Sequence, residues 1–229
     1  MSAFGLITKL NKIGGFNLLV LAKTRLVLAV GVLLVPGLLL LAVLAQPWVD
    51  PKWMFWDMLT AAEFSDDCCH VYYGFMSNLG IFLWVATAAI SLFSALIFFQ
   101  NKADKALFRF ALTSGLFSGW LALDDGFLLH EIVLPKLGIG QNIVLALYVV
   151  LALSYILASW RVILSSEFWI LALAVLGVSI SLGVDVILHS TASNIIIIED
   201  SAKFFGLFLW FAFHATTLLV AVQNHGPAK

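Results

Sequence analysis

Six stretches of this chain are each apolar for about 20 residues or more, the length a helix needs to cross a hydrocarbon core about 30 Å thick. They run from Thr24 to Ala45, Asn78 to Phe99, Leu107 to Val133, Asn142 to Ile163, Glu167 to His189 and Asn194 to Val222. Inside a bilayer every backbone N–H and C=O must find a partner within the protein, which excludes open strands and leaves helices. The predicted fold is therefore all-α, a polytopic membrane helical bundle of about six transmembrane helices in one domain, 1–229. The third and sixth runs exceed the required length and are expected to tilt or to continue past the bilayer surface. With 62% hydrophobic and only 11% charged residues, the chain is too apolar for a water-soluble domain of its size. Its Lys and Arg residues sit at the ends of apolar runs rather than on a basic surface, so no nucleic-acid partner is expected.

Those scattered cations predict the topology. Lys9, Lys12, Lys23 and Arg25 lie before or at the start of the first run; Lys102, Lys105 and Arg109 lie between the second and third or at the start of the third; Arg161 lies near the end of the fourth; Lys229 follows the sixth. The intervening connections are acidic or nearly uncharged, with Asp50, Asp57, Glu63, Asp66 and Asp67 in an outer loop over 46–77. By the positive-inside rule both termini are cytoplasmic. The first run is too long for a signal peptide and lacks a clear small-x-small cleavage site, so it is read as a span bent at Pro36. Residues 1–23, where Phe4, Leu6, Ile7, Leu10 and Ile13 alternate with lysines, fit a short interfacial amphipathic helix or a disordered tail.

The same topology gathers polar groups in one leaflet. The outward end of the third span carries Asp124, Asp125, His130 and Glu131; that of the fifth carries Asp185 and His189; the sixth begins with Glu199, Asp200 and Lys203. Apolar residues lie outward of each group, which sets the carboxylates below the headgroups. Charged groups at that depth are costly and normally functional. On a regular helix Asp185 and His189 share a face, with Ser181 one turn inward. Asp124 shares a face with Glu131, Asp125 points into the bundle beside Ser114 and Ser118, and His130 takes a third direction. Glu199 and Lys203 have the spacing of an intrahelical salt bridge. Trp210 and His214 continue that face towards the cytoplasm, as packing residues or as the lining of an internal path.

This donor set suits zinc or another divalent metal, with Asp125, His130, Asp185 and His189 as ligands. A zinc-bound water ionises near pH 7 and attacks as hydroxide. Asp124, Glu131 and Glu199 are then the candidate acid/base groups. The competing reading is a buried polar network that locks three helices together without turnover. In the outer loop, Asp66-Asp67-Cys68-Cys69-His70 offers soft and hard ligands, although a loop helix with incidental cysteines is the preferred reading. Trp48, Trp53, Trp56, Trp84, Tyr72 and Tyr73 read as an interfacial aromatic belt. No phosphate-binding loop, GxSxG elbow or HExxH motif is present.

Tyr73-Gly74-Phe-Met-Ser77-Asn78-Leu-Gly80, then Leu83-Trp84, Leu123-Asp124-Asp125 with His130-Glu131, and Glu199-Asp200 with Lys203 and Gly206 form a further pattern. It resembles a group of uncharacterised bacterial six-span integral membrane proteins with a DDxxxxHE segment and a later EDxxK segment. The likeness runs from the outer loop to the sixth span, implies a bacterial inner membrane and carries no activity. The His/Asp cluster is also similar in kind to the zinc site of alkaline ceramidases. This chain departs from them in lacking a His-xxx-His pair and in having six spans rather than seven.

The leading expectation is a metal-dependent, hydrolase-like membrane enzyme acting on a lipid or amphiphile at the outer leaflet. The alternatives are a non-enzymatic membrane subunit that binds a protein complex, lipid or pigment, and a proton- or ion-coupled carrier. The carrier requires a polar route through the whole bilayer, whereas the cytoplasmic halves of the spans are almost entirely apolar.

Overall fold

The apolar runs form helices whose ends are set by local chemistry. In the computed structural model, residues 18–65, 70–188 and 193–225 are described. The long helices are α1 (Leu18–Ala45), α4 (Phe75–Gln100), α5 (Lys105–Phe127), α7 (Gln141–Ser165), α8 (Phe168–Leu188) and α9 (Ser193–His225). Two short helices, α2 (Lys52–Phe55) and α3 (Met58–Phe64), fill the outer loop, and a single turn, α6 (Leu134–Lys136), precedes α7. Six helices are long and apolar enough to cross a membrane, and the described chain is an all-α integral membrane bundle. An even number of crossings returns the end of α9 to the side on which α1 starts. The expected amphipathic segment before residue 18, together with Cys68, Cys69 and His189, lies outside the described residues.

Caps account for several boundaries. The Asp57 carboxylate accepts hydrogen bonds from the Leu59 and Thr60 amides and starts α3, and Asp104 accepts from Ala106 and starts α5. Gly74 has φ +68° where the outer loop turns into α4, and its amide donates to the Trp53 carbonyl at 3.1 Å. A side chain there would be strained and would press on the Met58 amide. The expectation of one continuous third helix to Val133 does not hold. α5 stops at Phe127, Leu128 takes the left-handed conformation (φ 51°, ψ 44°), and a π-helical turn follows over Leu129–Val133.

Packing is uneven across the bundle. α4, α5, α8 and α9 enclose the main core, in which Phe110, Ile170, Leu209 and Phe213 are fully buried. α8 and α9 meet at Gly177 and Gly206, where a Cβ on either residue would come within about 3 Å of the other helix's backbone. α1 lies along α9, and α2 sets Phe55 between α4 and α9. α7 leans on α5 but has little contact with α8, which leaves a cleft between α7 and α8.

Candidate active site

The left-handed Leu128 decides what the acidic segment does. A non-glycine residue in this region costs on the order of 1–3 kcal/mol, and π turns recur at functional sites. The chain reverses just beyond Asp124 and brings His130 back over it. Asp124, 2% exposed, accepts from the His130 amide at 2.9 Å and from the Tyr148 hydroxyl at 2.8 Å through Oδ1. Its Oδ2 lies 2.6 Å from His130 Nδ1. Helical spacing had paired Asp124 with Glu131 and sent His130 elsewhere; the break after α5 pairs Asp124 with His130 instead.

A carboxylate can only accept, so Nδ1 carries a proton in either charge state of the ring, and Nε2 is the atom that gains or loses one. Nε2 stands 3.5 Å from Glu131 Oε1. Burial alone would lower the His130 pKa, but the Asp124 hydrogen bond and the charges of Asp124 and Glu131 override it and hold the imidazole above its ordinary value. The ring therefore holds its second proton more readily than an ordinary imidazole, and that proton sits on the nitrogen nearest Glu131.

Asp125, next in sequence, is engaged on the opposite flank of α5. Its Oδ1 accepts from Lys203 Nζ on α9 at 2.9 Å, and its Oδ2 from the Trp84 indole on α4 at 3.0 Å. Inward pointing of Asp125 is thus as expected from its stripe with Ser118. Trp84 is not part of an interfacial belt: at 5% exposure it is a buried donor to that acid. Lys203 reaches across to Asp125, a tertiary contact that its spacing from Glu199 did not suggest. Asp185 on α8 accepts a long 3.4 Å hydrogen bond from Gln141 at the start of α7.

Asp124, Asp125, His130, Glu131, Asp185, Glu199 and Lys203 all line the polar end of the cleft between α7 and α8. The cleft has a volume of about 320 Å³ and is walled below by apolar side chains including Leu145, Val149, Leu153 and Val178. Of the expected metal ligands, Asp125, His130 and Asp185 each have another hydrogen-bond partner, and His189 lies outside the described residues. Among the described residues, no three His, Cys, Asp or Glu side chains are grouped closely enough to hold a metal ion.

Under the cleft floor a second polar chain crosses the bundle. The Trp210 indole donates to Ser118 Oγ at 3.0 Å, and His214 Nδ1 donates to the Trp210 carbonyl at 2.7 Å. His214 Nε2 is then an acceptor in the neutral ring, and the Tyr155 hydroxyl donates to it at 2.7 Å. His214 is fully buried and stacked on Phe110, the packing role that was one of its two readings.

A family profile for a domain of unknown function, DUF8692, matches residues 20–217. The chain belongs to this family. The match runs from near the start of α1 into the last third of α9, and so takes in both flanks of the acid pair and the described lining of the cleft. No curated protein and no solved structure matches the chain.

Tyr148 and Gln141 are site residues that the sequence reading missed. The available signal was their polarity within an otherwise apolar run. Tyr148 and Tyr155, seven residues apart on α7, share the face that meets Asp124 and His214.

Proposed function

We propose that this chain is a membrane enzyme that binds an amphiphile in the cleft between α7 and α8 and uses His130 as its proton-transfer group. The observation that carries this reading is the linked set Tyr148–Asp124–His130 at the polar end of an apolar cleft. An apolar slot with a few convergent polar groups is the usual form of a small-molecule site. Asp124 fixes the ring and its tautomer, leaving Nε2 as the working atom, and Glu131 beside it is a second acid/base group. A hydrolytic step of the expected kind needs such a group to protonate the leaving atom or to take a proton from water. The distribution of Lys and Arg supports an outer-leaflet position for the polar end. A bacterial inner membrane is the localisation we propose with it.

The test is turnover by wild-type protein in lipid nanodiscs of a panel of single-chain esters and amides, followed by mass spectrometry. His130→Gln and Asp124→Asn are each expected to lower turnover by at least about 100-fold, the lower end of what acid/base groups contribute. Unchanged turnover in His130→Gln overturns the assignment. Binding of the panel with no turnover by the wild type makes the chain a non-enzymatic lipid-binding subunit.

A further inference from the structure

We infer that the outer half of α7, residues 141–153 beside the polar end of the cleft, is a lateral gate: it moves away from α8 to admit a bilayer-resident amphiphile from the hydrocarbon. The inference rests on the proposed amphiphile site and names the source and route of its ligand. The first observation is where the cleft opens. Val149 and Leu153 on α7 and Val175 on α8 line it and are also exposed on the outside of the bundle. All three lie well inside membrane-crossing helices, so these lips face lipid chains and not water. Behind them Trp84 on α4 and Trp210 on α9, both buried, belong to the back wall. A ligand that enters between the lips keeps its chain in apolar surroundings throughout, whereas a route through water would expose every methylene.

The second observation is how α7 is held. Beyond the cleft Tyr155, Ser159, Val162 and Ile163 are buried, and three of them join the main core. Among the described residues of the outer half, Val144 alone is buried, while Ile143, Leu147 and Val150 are exposed. Side-chain ties replace packing there. Gln141, Tyr148 and Tyr155, seven residues apart, form one stripe, and each donates to a different helix: to Asp185 on α8 at 3.4 Å, to Asp124 on α5 at 2.8 Å and to His214 on α9 at 2.7 Å. The ties lengthen towards the polar end as the packing thins, so α7 has its pivot at the buried Tyr155 end. The connection before α7 gives the swing room: Gly138 has φ +89°, and a Cβ on Gly138 or Gly140 would meet open space. Opening parts Tyr148 from Asp124. Asp124 regains its full set of donors, and the proposed His130 site its full set of groups, when the gate closes over the ligand.

The probe is a single-chain amphiphile with a photoactivatable diazirine on its chain, held in the lipid of nanodiscs that carry the full chain. Adducts on Trp84 and Trp210, which lipid reaches only through the cleft, are read by mass spectrometry. The gate is locked by Gln141→Cys with Asp185→Cys, in a chain with Cys68→Ser and Cys69→Ser, joined by a short cleavable bis-methanethiosulfonate reagent. Bridging is expected to lower labelling at least about tenfold, and cleavage of the bridge in the same protein to restore it. Because the cleaved protein is its own control, the substitutions themselves cancel. If that variant does not fold, Val149→Trp, which fills the lip, must lower the labelling instead. Undiminished labelling in the bridged protein, or in Val149→Trp, overturns the gate and leaves the amphiphile site standing. So does stronger labelling by a short-chain, water-soluble analogue that persists after bridging, which would assign entry to the aqueous side. No adduct on Trp84 or Trp210 from either probe overturns the cleft itself as a ligand site, and the proposed function with it.

Discussion

Asp124 and Asp125 are neighbours in sequence, yet they face opposite flanks of α5 and meet different chemistry. On the Asp125 flank, α4 and α9 pack closely, and the acid is closed by a lysine and an indole whose protons stay where they are at neutral pH. On the Asp124 flank, α7 is loosely held, and the partners are a phenol and an imidazole, the one ring of the set that exchanges a proton near neutral pH; the cleft between α7 and α8 reaches both acids. One acid locks three helices into a bundle. The other holds a titratable ring at the edge of a cavity. The difference teaches that a buried carboxylate beside a cavity is structural or reactive according to whether its partner can exchange a proton near neutral pH.

The sharpest way to break this comparison is to remove the lysine. Lys203→Met leaves Asp125 with the indole alone and is expected to cost about 3 kcal/mol, seen as a clear fall in thermal unfolding temperature in detergent. Adding Asp125→Asn should recover most of that loss. A Lys203→Met variant as stable as the wild type would show that the pair does not lock the bundle.

Asp124→Asn is the counterpart on the other flank, with an expected cost of about 2 kcal/mol because charge-assisted bonds to His130 and Tyr148 weaken together. Its mark should be chemical as much as thermal. His130 loses its orienting acid, so the ring's titration, followed by NMR, should move down towards the ordinary value. An unmoved titration would separate His130 from Asp124 in solution. Tyr148→Phe removes one donor and is expected to cost about 1 kcal/mol. Tyr155→Phe should cost a similar amount about two turns further along α7 while leaving the His130 titration untouched.

The smallest expected effect is pH dependence. The folded-state pKa of His130 is raised, so its charge pair with Asp124 contributes fully below the ordinary imidazole value, about 6.5, and is lost as pH rises through the raised value. The wild type should lose a little stability across that alkaline-going window. Asp124→Asn should lose less over the same range, and equal slopes would remove the charge pair from the account.

The spans were legible because a 20-residue apolar run in lipid has one backbone solution, and local patterning states it without reference to the rest of the chain. The gathering of Asp124, Asp125, Asp185, Glu199 and Lys203 at one end of the bundle was legible for a related reason: topology fixes depth. Partner choice was not. Regular helical geometry put His130 and Asp124 on different faces, and the left-handed Leu128 overrode it. Nothing in Gly126-Phe127-Leu128 announces that turn, since leucine is an unfavoured residue for it and neighbouring Gly126 is the obvious place for a break. Trp84 was read by its position near an interface, whereas its burial depends on where α5 and α9 stand.

By itself, then, the sequence determined that this is an all-α membrane bundle and that Asp124, Asp125, Asp185 and Glu199 share one level, because hydrophobic length and residue spacing along a helix are local quantities. Only the tertiary structure decided that Asp125 belongs to Lys203 and Trp84, that Asp124 belongs to His130 and Tyr148, and that one cleft adjoins both sets. Those outcomes depend on rotation about each helix axis, on close approach at Gly177 and Gly206, and on one strained residue. They are set by how helices distant in sequence pack against one another, which no single segment encodes.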